Sequence, residues 1–112
     1  MGKVLLYAMQ GEKMCFMHVM LNALDLAEAG EEVKVVFEGS SVKLPPVLAQ
    51  EENPLYAQLL EKDLIAGVCK ACSASLGVLE EIEELGLPLL DDMKGHAGVR
   101  PFMAEGYQVL VF

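Results

Sequence analysis

Short apolar runs alternate with longer segments of helical period along this chain, and this alternation limits the possible folds more than any other feature. The runs cover residues 3–9, 33–37, 63–69, 87–90 and 107–112. Continuous apolar runs of this length are typical of strands that are buried on both faces of a parallel sheet. Two of the intervening segments, 14–30 and 73–85, space their polar and apolar residues as amphipathic helices do. We therefore predict an α/β fold, a single open parallel sheet of about five strands with helices on both faces, in flavodoxin-like layering.

Prolines and glycines predict the shorter elements. Pro45 and Pro46 are expected to begin one short helix and Pro54 another, because proline is favoured at the first helical position. A third short helix is expected at residues 100–105, and Gly77 is a weak point within the helix at 73–85. The 112 residues contain no repeat or linker, so we expect one domain over residues 1–112.

Charge and cysteine usage exclude several classes of protein. The formal net charge is −9 and the eight lysines and arginines are scattered, so we expect no nucleic-acid partner. No apolar run approaches the length of a membrane span, so we expect no membrane partner either. Three cysteines are an odd number, which fits a secreted disulfide framework poorly and predicts a cytoplasmic protein. Hydrophobic residues make up 54% of the chain, which is high for so small a monomer and indicates subunit contacts.

The candidate site lies where strands end, because open parallel sheets carry their functional residues beyond the carboxyl ends of the strands. Three segments follow strands in this way: 10–15, 38–43 and 69–73. The last of them holds a C-x-x-C pair, with Cys69 ending the third strand and Cys72 in the first turn of the next helix. The amides of a helix start favour an anion and Lys70 adds positive charge, so we expect a lowered thiol pKa and a nucleophilic thiolate. The alternative is that one or both cysteines are small buried hydrophobic residues.

No cofactor and no metal are expected from the motifs. One C-x-x-C pair supplies half of a tetrahedral zinc site, and Cys15, His18 and His96 show no matching pair spacing. A thioredoxin-type redox pair is disfavoured, because the motif follows the third strand and not the first. The sequence contains no dinucleotide-binding glycine motif, no P-loop and no serine nucleophile elbow.

Two further residues are candidates for a supporting role. His96 lies between two glycines in KGHAG, where unusual backbone angles are allowed. It is a candidate base, a pH-sensitive donor or a structural lock for its loop. Cys15, near the start of the first long helix, is either buried or close enough to the end of the third strand to take part in the site.

The sequence resembles the DsrE/DsrF-like family, the small α/β subunits of sulfur-relay systems. The matching segments are AGVCKACSASLGV after the third strand, the end LPLLDDMKGHAGVRPFMAEGYQVLVF, and the opening KVLLYAM with MCFMHVMLNALDLA. The resemblance covers nearly the full length. Its sharpest element is the cysteine that ends strand three, followed by a helix with a small-residue start and a Gly-Val. It implies a single DsrE/DsrF-like domain that assembles into homo-trimers or homo-hexamers.

The resemblance also implies a chemistry. In the sulfur-relay members the cysteine that matches Cys69 accepts a sulfur atom as a persulfide and passes it on. Cys72 matches a second cysteine that occurs in many relatives. The characterised carriers commonly have an arginine-rich stretch after the cysteine, where this chain has Ser73 to Leu76.

The leading hypothesis is therefore a homo-oligomeric, cytoplasmic sulfur carrier of sulfurtransferase type, which exchanges sulfur with other sulfur-relay proteins through Cys69. Cys72 would resolve the persulfide or form a reversible disulfide with Cys69. The supporting residues are expected to be Lys70, Ser73, His96 and Cys15. The alternative is a non-catalytic homo-oligomeric module of the same fold that binds a small molecule or senses redox state, without turnover. A third hypothesis is an oligomer held together by metal.

Overall fold

The computed structural model describes residues 2–112 and contains a five-stranded sheet in which each strand runs parallel to its neighbours. The strands are β1 (Lys3–Ala8), β2 (Glu32–Phe37), β3 (Ile65–Cys69), β4 (Leu89–Leu90) and β5 (Gln108–Val111). Their order across the sheet is β4-β3-β2-β1-β5. The predicted open parallel sheet is confirmed. The ends of each strand agree with the ends of one predicted apolar run to within two residues.

The helices follow the strands as the alternation predicts. They are α1 (Lys13–Glu28), α2 (Leu44–Gln50), α3 (Pro54–Glu61), α4 (Lys70–Ser75), α5 (Leu79–Leu85) and α6 (Arg100–Ala104), with a 3-10 helix at Gly39–Lys43. Prolines stand in the first turns of α2, α3 and α6. At α3 the Asn53 side chain also accepts hydrogen bonds from the amides of Leu55 and Tyr56, which satisfies two donors that a helix start leaves free.

The single helix predicted at residues 73–85 is wrong. The chain forms α4 and α5 there, and the first of them already begins at Lys70. Gly77, at a φ of +76°, lies between the two helices. Such a left-handed angle interrupts a right-handed helix and suits glycine, which has no Cβ. The weak point in the sequence is therefore a break in the structure.

Both faces of the sheet are covered. On one face α1 packs through Phe16 against Phe37 of β2, with ring centroids 4.8 Å apart. On the other face lies the segment that carries α6, where the Tyr7 hydroxyl of β1 donates to the carbonyl oxygen of Ala97 at 2.6 Å. The helices on both faces are thus confirmed. No helix among residues 2–112 is long and apolar enough to cross a membrane.

The register of the strands brings three chain segments together at one edge of the sheet. Phe37 at the end of β2 pairs with Val68 of β3, and Cys69 at the end of β3 pairs with Leu90 at the end of β4. The segments that leave these strands therefore begin side by side, and side chains far apart in sequence can meet there.

Candidate functional site: a thiol, imidazole and carboxylate cluster

Four chemically reactive side chains converge at this edge of the sheet. We call them the strand-end cluster, and they are Glu38, Cys69, Cys72 and His96. One sulfur, nitrogen or oxygen atom from each lies within 4.8 Å of those of all the others. Glu38 directly follows β2, Cys69 ends β3, Cys72 lies in α4, and His96 lies between β4 and α6. The parallel sheet thus assembles a site from three separate segments.

The two cysteines are held by the first turn of α4. Cys69 is the N-cap residue, and its Sγ accepts a hydrogen bond from the amide of Cys72 at 3.3 Å. The Ser73 hydroxyl donates to the carbonyl oxygen of Cys69 at 2.7 Å and locks the same turn. Both thiols are free; Cys69 is fully buried and Cys72 is half-buried. Cys72 is consequently the sulfur that solvent and small molecules reach first.

Glu38 is a buried carboxylate, with 5% of the residue exposed. Its Oε1 accepts from the Cys72 thiol at 2.7 Å and from the amide of Gly39 at 3.1 Å. Its Oε2 accepts from the amide of Ala97 at 3.0 Å. Within residues 2–112 the one ionisable partner in salt-bridge range is His96, 3.4 Å away, and no lysine or arginine pairs with this carboxylate. The cluster therefore carries acidic groups with little positive charge to balance them.

The expected lowered thiol pKa is wrong for Cys72. Burial raises the pKa of the Cys72 thiol, and its contacts with Glu38 and Cys69 raise it further, to about 12. Burial also opposes ionisation of Glu38, but hydrogen bonds from Cys72 and from the amides of Gly39 and Ala97 outweigh it and hold the pKa of Glu38 below its usual range. The shared proton therefore belongs to the Cys72 sulfur, and Glu38 is the ionised acceptor.

A two-residue hairpin turn places the imidazole. Met93 and His96 exchange both backbone hydrogen bonds, each 2.9 Å long. Between them Lys94 has a φ of +51° and Gly95 a φ of +93°, as a type I′ turn requires. The carbonyl of Gly95 accepts from the amide of Ala71 in α4 at 2.8 Å, which ties the turn to the helix that carries Cys72. The glycine before His96 thus has the special backbone role that the sequence indicated.

The His96 Nδ1 atom lies among the other three groups. It is 3.3 Å from the Cys69 Sγ, 3.5 Å from the Cys72 Sγ and 3.4 Å from the Glu38 Oε1. The His96 side chain is 45% exposed, in contrast to the buried Glu38 and Cys69. The imidazole therefore forms the solvent-facing side of the cluster.

The other predicted supporting residues lie outside the cluster. Lys70 is an exposed residue at the start of α4 and is not one of the four grouped side chains. The expectation that Cys15 is either buried or part of the site is wrong, because Cys15 is an exposed free cysteine on α1 and is not one of the four. Ser73 is buried and bonds to the backbone of Cys69, so its observed role is structural.

Sequence reasoning missed Glu38 and Tyr7 as members of this region. The one available signal for Glu38 was its position directly after the second strand, within segment 38–43. Tyr7 lies in β1, and its hydroxyl holds the carbonyl of Ala97, whose amide in turn holds Glu38. Burial and then the charge of Glu38 raise the pKa of Tyr7 to about 12, so it remains a hydrogen-bond donor.

Comparison with known proteins shows a similarity over most of the chain. The chain is 34% identical over 96 residues to the uncharacterized protein MJ0733 of Methanocaldococcus jannaschii. The matched region covers 84% of this chain and 77% of that protein. No protein-family model matches the chain, and no solved structure matches it.

Proposed function

The chain belongs to the same protein family as its Methanocaldococcus jannaschii relative, and within that family we propose that it is a sulfur carrier that binds sulfane sulfur as a persulfide on Cys69 and Cys72. One observation carries the proposal: two free thiols lie 3.3 and 3.5 Å from one imidazole nitrogen, and the second donates a hydrogen bond to a carboxylate. Sulfur exchange between thiols requires a sulfur that becomes a nucleophile when it loses its proton, and a neighbouring group that accepts the proton; the cluster places an imidazole beside both thiols. The resemblance to the DsrE/DsrF-like family supports the same chemistry.

Burial assigns different roles to the two cysteines. The half-buried Cys72 attacks the outer sulfur of a persulfide donor, while its proton passes to Nδ1 of His96, 3.5 Å away. A sulfur–sulfur bond forms on Cys72, the sulfur–sulfur bond of the donor breaks, and the donor leaves as a thiol with a proton from His96 or from water. This exchange transfers one sulfur atom and needs no added oxidant or reductant.

Cys69 then stores the sulfur. Its Sγ attacks the outer sulfur of the Cys72 persulfide, which moves the sulfur inward and restores the Cys72 thiol. Cys69 is fully buried, so a persulfide there is shielded from oxidants in bulk solvent. Attack on the inner sulfur would instead form a Cys69–Cys72 disulfide and release hydrosulfide, which is the resolving step.

The second candidate is a non-catalytic redox-sensing module of DsrE-like fold. The burial of Cys69 favours it, because a buried thiol beside a second thiol can form a disulfide without ever meeting a protein partner. In that case the pair would oxidise reversibly and would hold no extra sulfur. A small-molecule ligand at the strand ends is the other form of this candidate.

Mass spectrometry separates these functions. Protein that has been incubated with a polysulfide donor, without oxygen or reductant, should gain one reducible sulfur atom on the peptide that contains Cys69 and Cys72. Cys72→Ser should slow loading and Cys69→Ser should abolish stable loading, whereas Cys15→Ser should load as the parent does. Formation of the disulfide without a gain of sulfur at any time point, the earliest included, would support the sensor instead, because the carrier must pass through a persulfide before it resolves. Loading that persists in both cluster variants would refute the carrier assignment.

We also propose that the carrier is a homo-oligomer, a trimer or hexamer, that acts in the cytoplasm with other sulfur-relay proteins. An exposed apolar stripe on α1 supports subunit contacts: Met14 is 72%, Met17 is 40% and Leu21 is 45% exposed. These residues recur at helical spacing on one side of α1, beside the buried side that faces the sheet. Burial of such a stripe against a second copy would remove apolar surface from water.

A further inference from the structure

The strand-end cluster has the ligand types and the spacing of a metal centre. We propose that it binds one Zn²⁺ per chain through the sulfurs of Cys69 and Cys72, Nδ1 of His96 and one carboxylate oxygen of Glu38. This inference is independent of the sulfur-carrier proposal. Since the same two sulfurs would hold the metal, the metal-bound and sulfur-loaded forms exclude each other.

The chemistry of the four groups selects the metal. Two thiolates and an imidazole favour a borderline-soft cation such as Zn²⁺ over Mg²⁺ or Ca²⁺, which take oxygen ligands. A carboxylate oxygen completes four protein ligands, and a site with four protein ligands is typical of structural zinc. All four come from one chain, so the site does not need a second subunit.

Three of the six distances between the ligand atoms fit tetrahedral coordination. With Zn–S near 2.3 Å and Zn–N or Zn–O near 2.0 Å, a tetrahedron sets its N···S edges at about 3.5 Å and its N···O edge at about 3.3 Å. The Nδ1 atom of His96 lies 3.3 and 3.5 Å from the two sulfurs and 3.4 Å from Oε1 of Glu38. Three edges of the tetrahedron are thus present without any metal.

One edge must lengthen when the metal binds. The Cys72 Sγ and the Glu38 Oε1 are 2.7 Å apart, because the thiol proton lies between them. A tetrahedral zinc site would separate these atoms by about 3.5 Å. Binding removes the thiol protons of Cys69 and Cys72, and both protons go to solvent. Loss of the shared proton breaks the hydrogen bond and leaves two anions, the Cys72 thiolate and the Glu38 carboxylate. These two groups move apart as both bind the cation.

The surroundings favour a cation and hold the ligands in place. Glu38 is buried and has no lysine or arginine partner within residues 2–112, so a divalent ion would supply the missing positive charge. Its second oxygen is held by the amide of Ala97, and the carbonyl of Ala97 by the Tyr7 hydroxyl. The amide of Cys72 donates to the Cys69 sulfur. Such outer-shell bonds orient ligands before the metal arrives.

The test is zinc titration of the whole chain. Protein is stripped of metal with a chelator, kept reduced and free of oxygen, and titrated with Zn²⁺ alone against a chromogenic zinc chelator. One tightly bound Zn²⁺ per chain is expected. Co²⁺ added to the same stripped protein should give the visible and near-ultraviolet absorption of a tetrahedral ion with thiolate ligands.

Ligand variants decide whether the metal lies in the cluster. His96→Ala and Cys72→Ser should each weaken Zn²⁺ binding by more than about a hundredfold, since even outer-shell partners contribute about 10- to 100-fold. Cys15→Ser, which removes an exposed thiol elsewhere, should bind as the parent does. His96 is partly exposed, so its variant should fold, and circular dichroism checks this. Substoichiometric binding, or equal affinity in the parent and in folded cluster variants, would overturn the proposal.

The two proposals fail separately. Sulfur loading is measured on metal-free protein, so a chain that loads sulfur but ignores Zn²⁺ would refute the metal site alone. A chain that binds Zn²⁺ through these residues but never gains sulfur would refute the carrier alone. If both hold, prior saturation with Zn²⁺ should prevent sulfur loading.

Discussion

The Cys72 sulfur lies 2.7 Å from the Glu38 carboxylate, although 34 positions separate the two residues in the chain. This contact, together with burial, gives Cys72 a raised thiol pKa in place of the lowered one that the start of a helix favours. After burial, which contributes most, the carboxylate is the next cause that raises the pKa of the Cys72 thiol. The resting site therefore holds a protonated thiol beside an ionised acid, and reaction at Cys72 requires the proton to move.

Replacement of Glu38 by glutamine should make Cys72 more reactive. The change removes the negative charge that opposes ionisation of the thiol, so the pKa of Cys72 falls, while burial keeps it above the usual value. At a fixed neutral pH the thiolate fraction, and with it the alkylation rate, rises about tenfold for each unit that the pKa falls. The measurement is the pH profile of Cys72 alkylation in a Cys15→Ser background. An unchanged or higher midpoint in Glu38→Gln would contradict this.

The same variant should be less stable. The two oxygens of Glu38 accept from the Gly39 and Ala97 amides, and a glutamine must turn its NH₂ group toward one of these donors. The unsatisfied donor should lower the free energy of unfolding by about 1–3 kcal/mol. Urea denaturation of Glu38→Gln and the parent measures the difference. Glu80→Gln, on the exposed side of α5, is the matched control and should change stability by less than about 0.5 kcal/mol.

The three cysteines should react with iodoacetamide in the order of their exposure. Cys15 is exposed, Cys72 is half-buried with a raised pKa, and Cys69 is fully buried. Under native conditions we expect fast modification of Cys15, slow modification of Cys72, and modification of Cys69 only after local opening. Timed quenching and peptide mass spectrometry give the three rates. In urea the rates should converge, and native modification of Cys69 at the rate of Cys15 would contradict the observed packing.

Substitution of Gly95 by alanine should disturb the cluster as well as the fold. Its φ of +93° costs a non-glycine residue about 1–2 kcal/mol, and relief of this strain would turn His96 away from the sulfurs. We expect lower stability together with weaker Zn²⁺ binding and slower sulfur loading.

Gly86→Ala is the matched control for that variant. Gly86 has a φ of +75° at the end of α5, and an added Cβ would meet nothing within 4 Å. It should lose similar stability while Zn²⁺ binding and sulfur loading stay at the level of the parent. Equal functional losses in both variants would mean that the Gly95 turn has no specific role in placing His96.

The exposed stripe on α1 should govern assembly. Met17→Glu places a charge in the middle of the stripe and should shift the protein from oligomer to monomer in sedimentation equilibrium, because the charge would be buried in the contact. Asn22→Glu, on an exposed polar side of the same helix, should leave assembly unchanged. A parent protein that is monomeric at high concentration would contradict the proposed oligomer.

The sequence by itself determined the layered α/β architecture. Strand and helix periods are local properties, so the apolar runs and the amphipathic spacing were sufficient to predict five parallel strands. The end of β3 at Cys69 and the start of α3 at Pro54 followed from the same local rules. The division of the fourth helical region did not, because its leucine spacing continues through Gly77 and only the backbone angle there shows the break.

Only the tertiary structure decided which of the candidate side chains meet, and that Glu38 joins them. Glu38 and His96 are 58 positions apart, and no motif spacing joins either of them to the cysteine pair. They meet because parallel strands in register place their carboxyl ends side by side, and because the turn at Gly95 bonds to the start of α4. The raised pKa of the Cys72 thiol also depends on the tertiary structure. Desolvation and charge act through space over a few ångströms, and a linear sequence does not encode those distances.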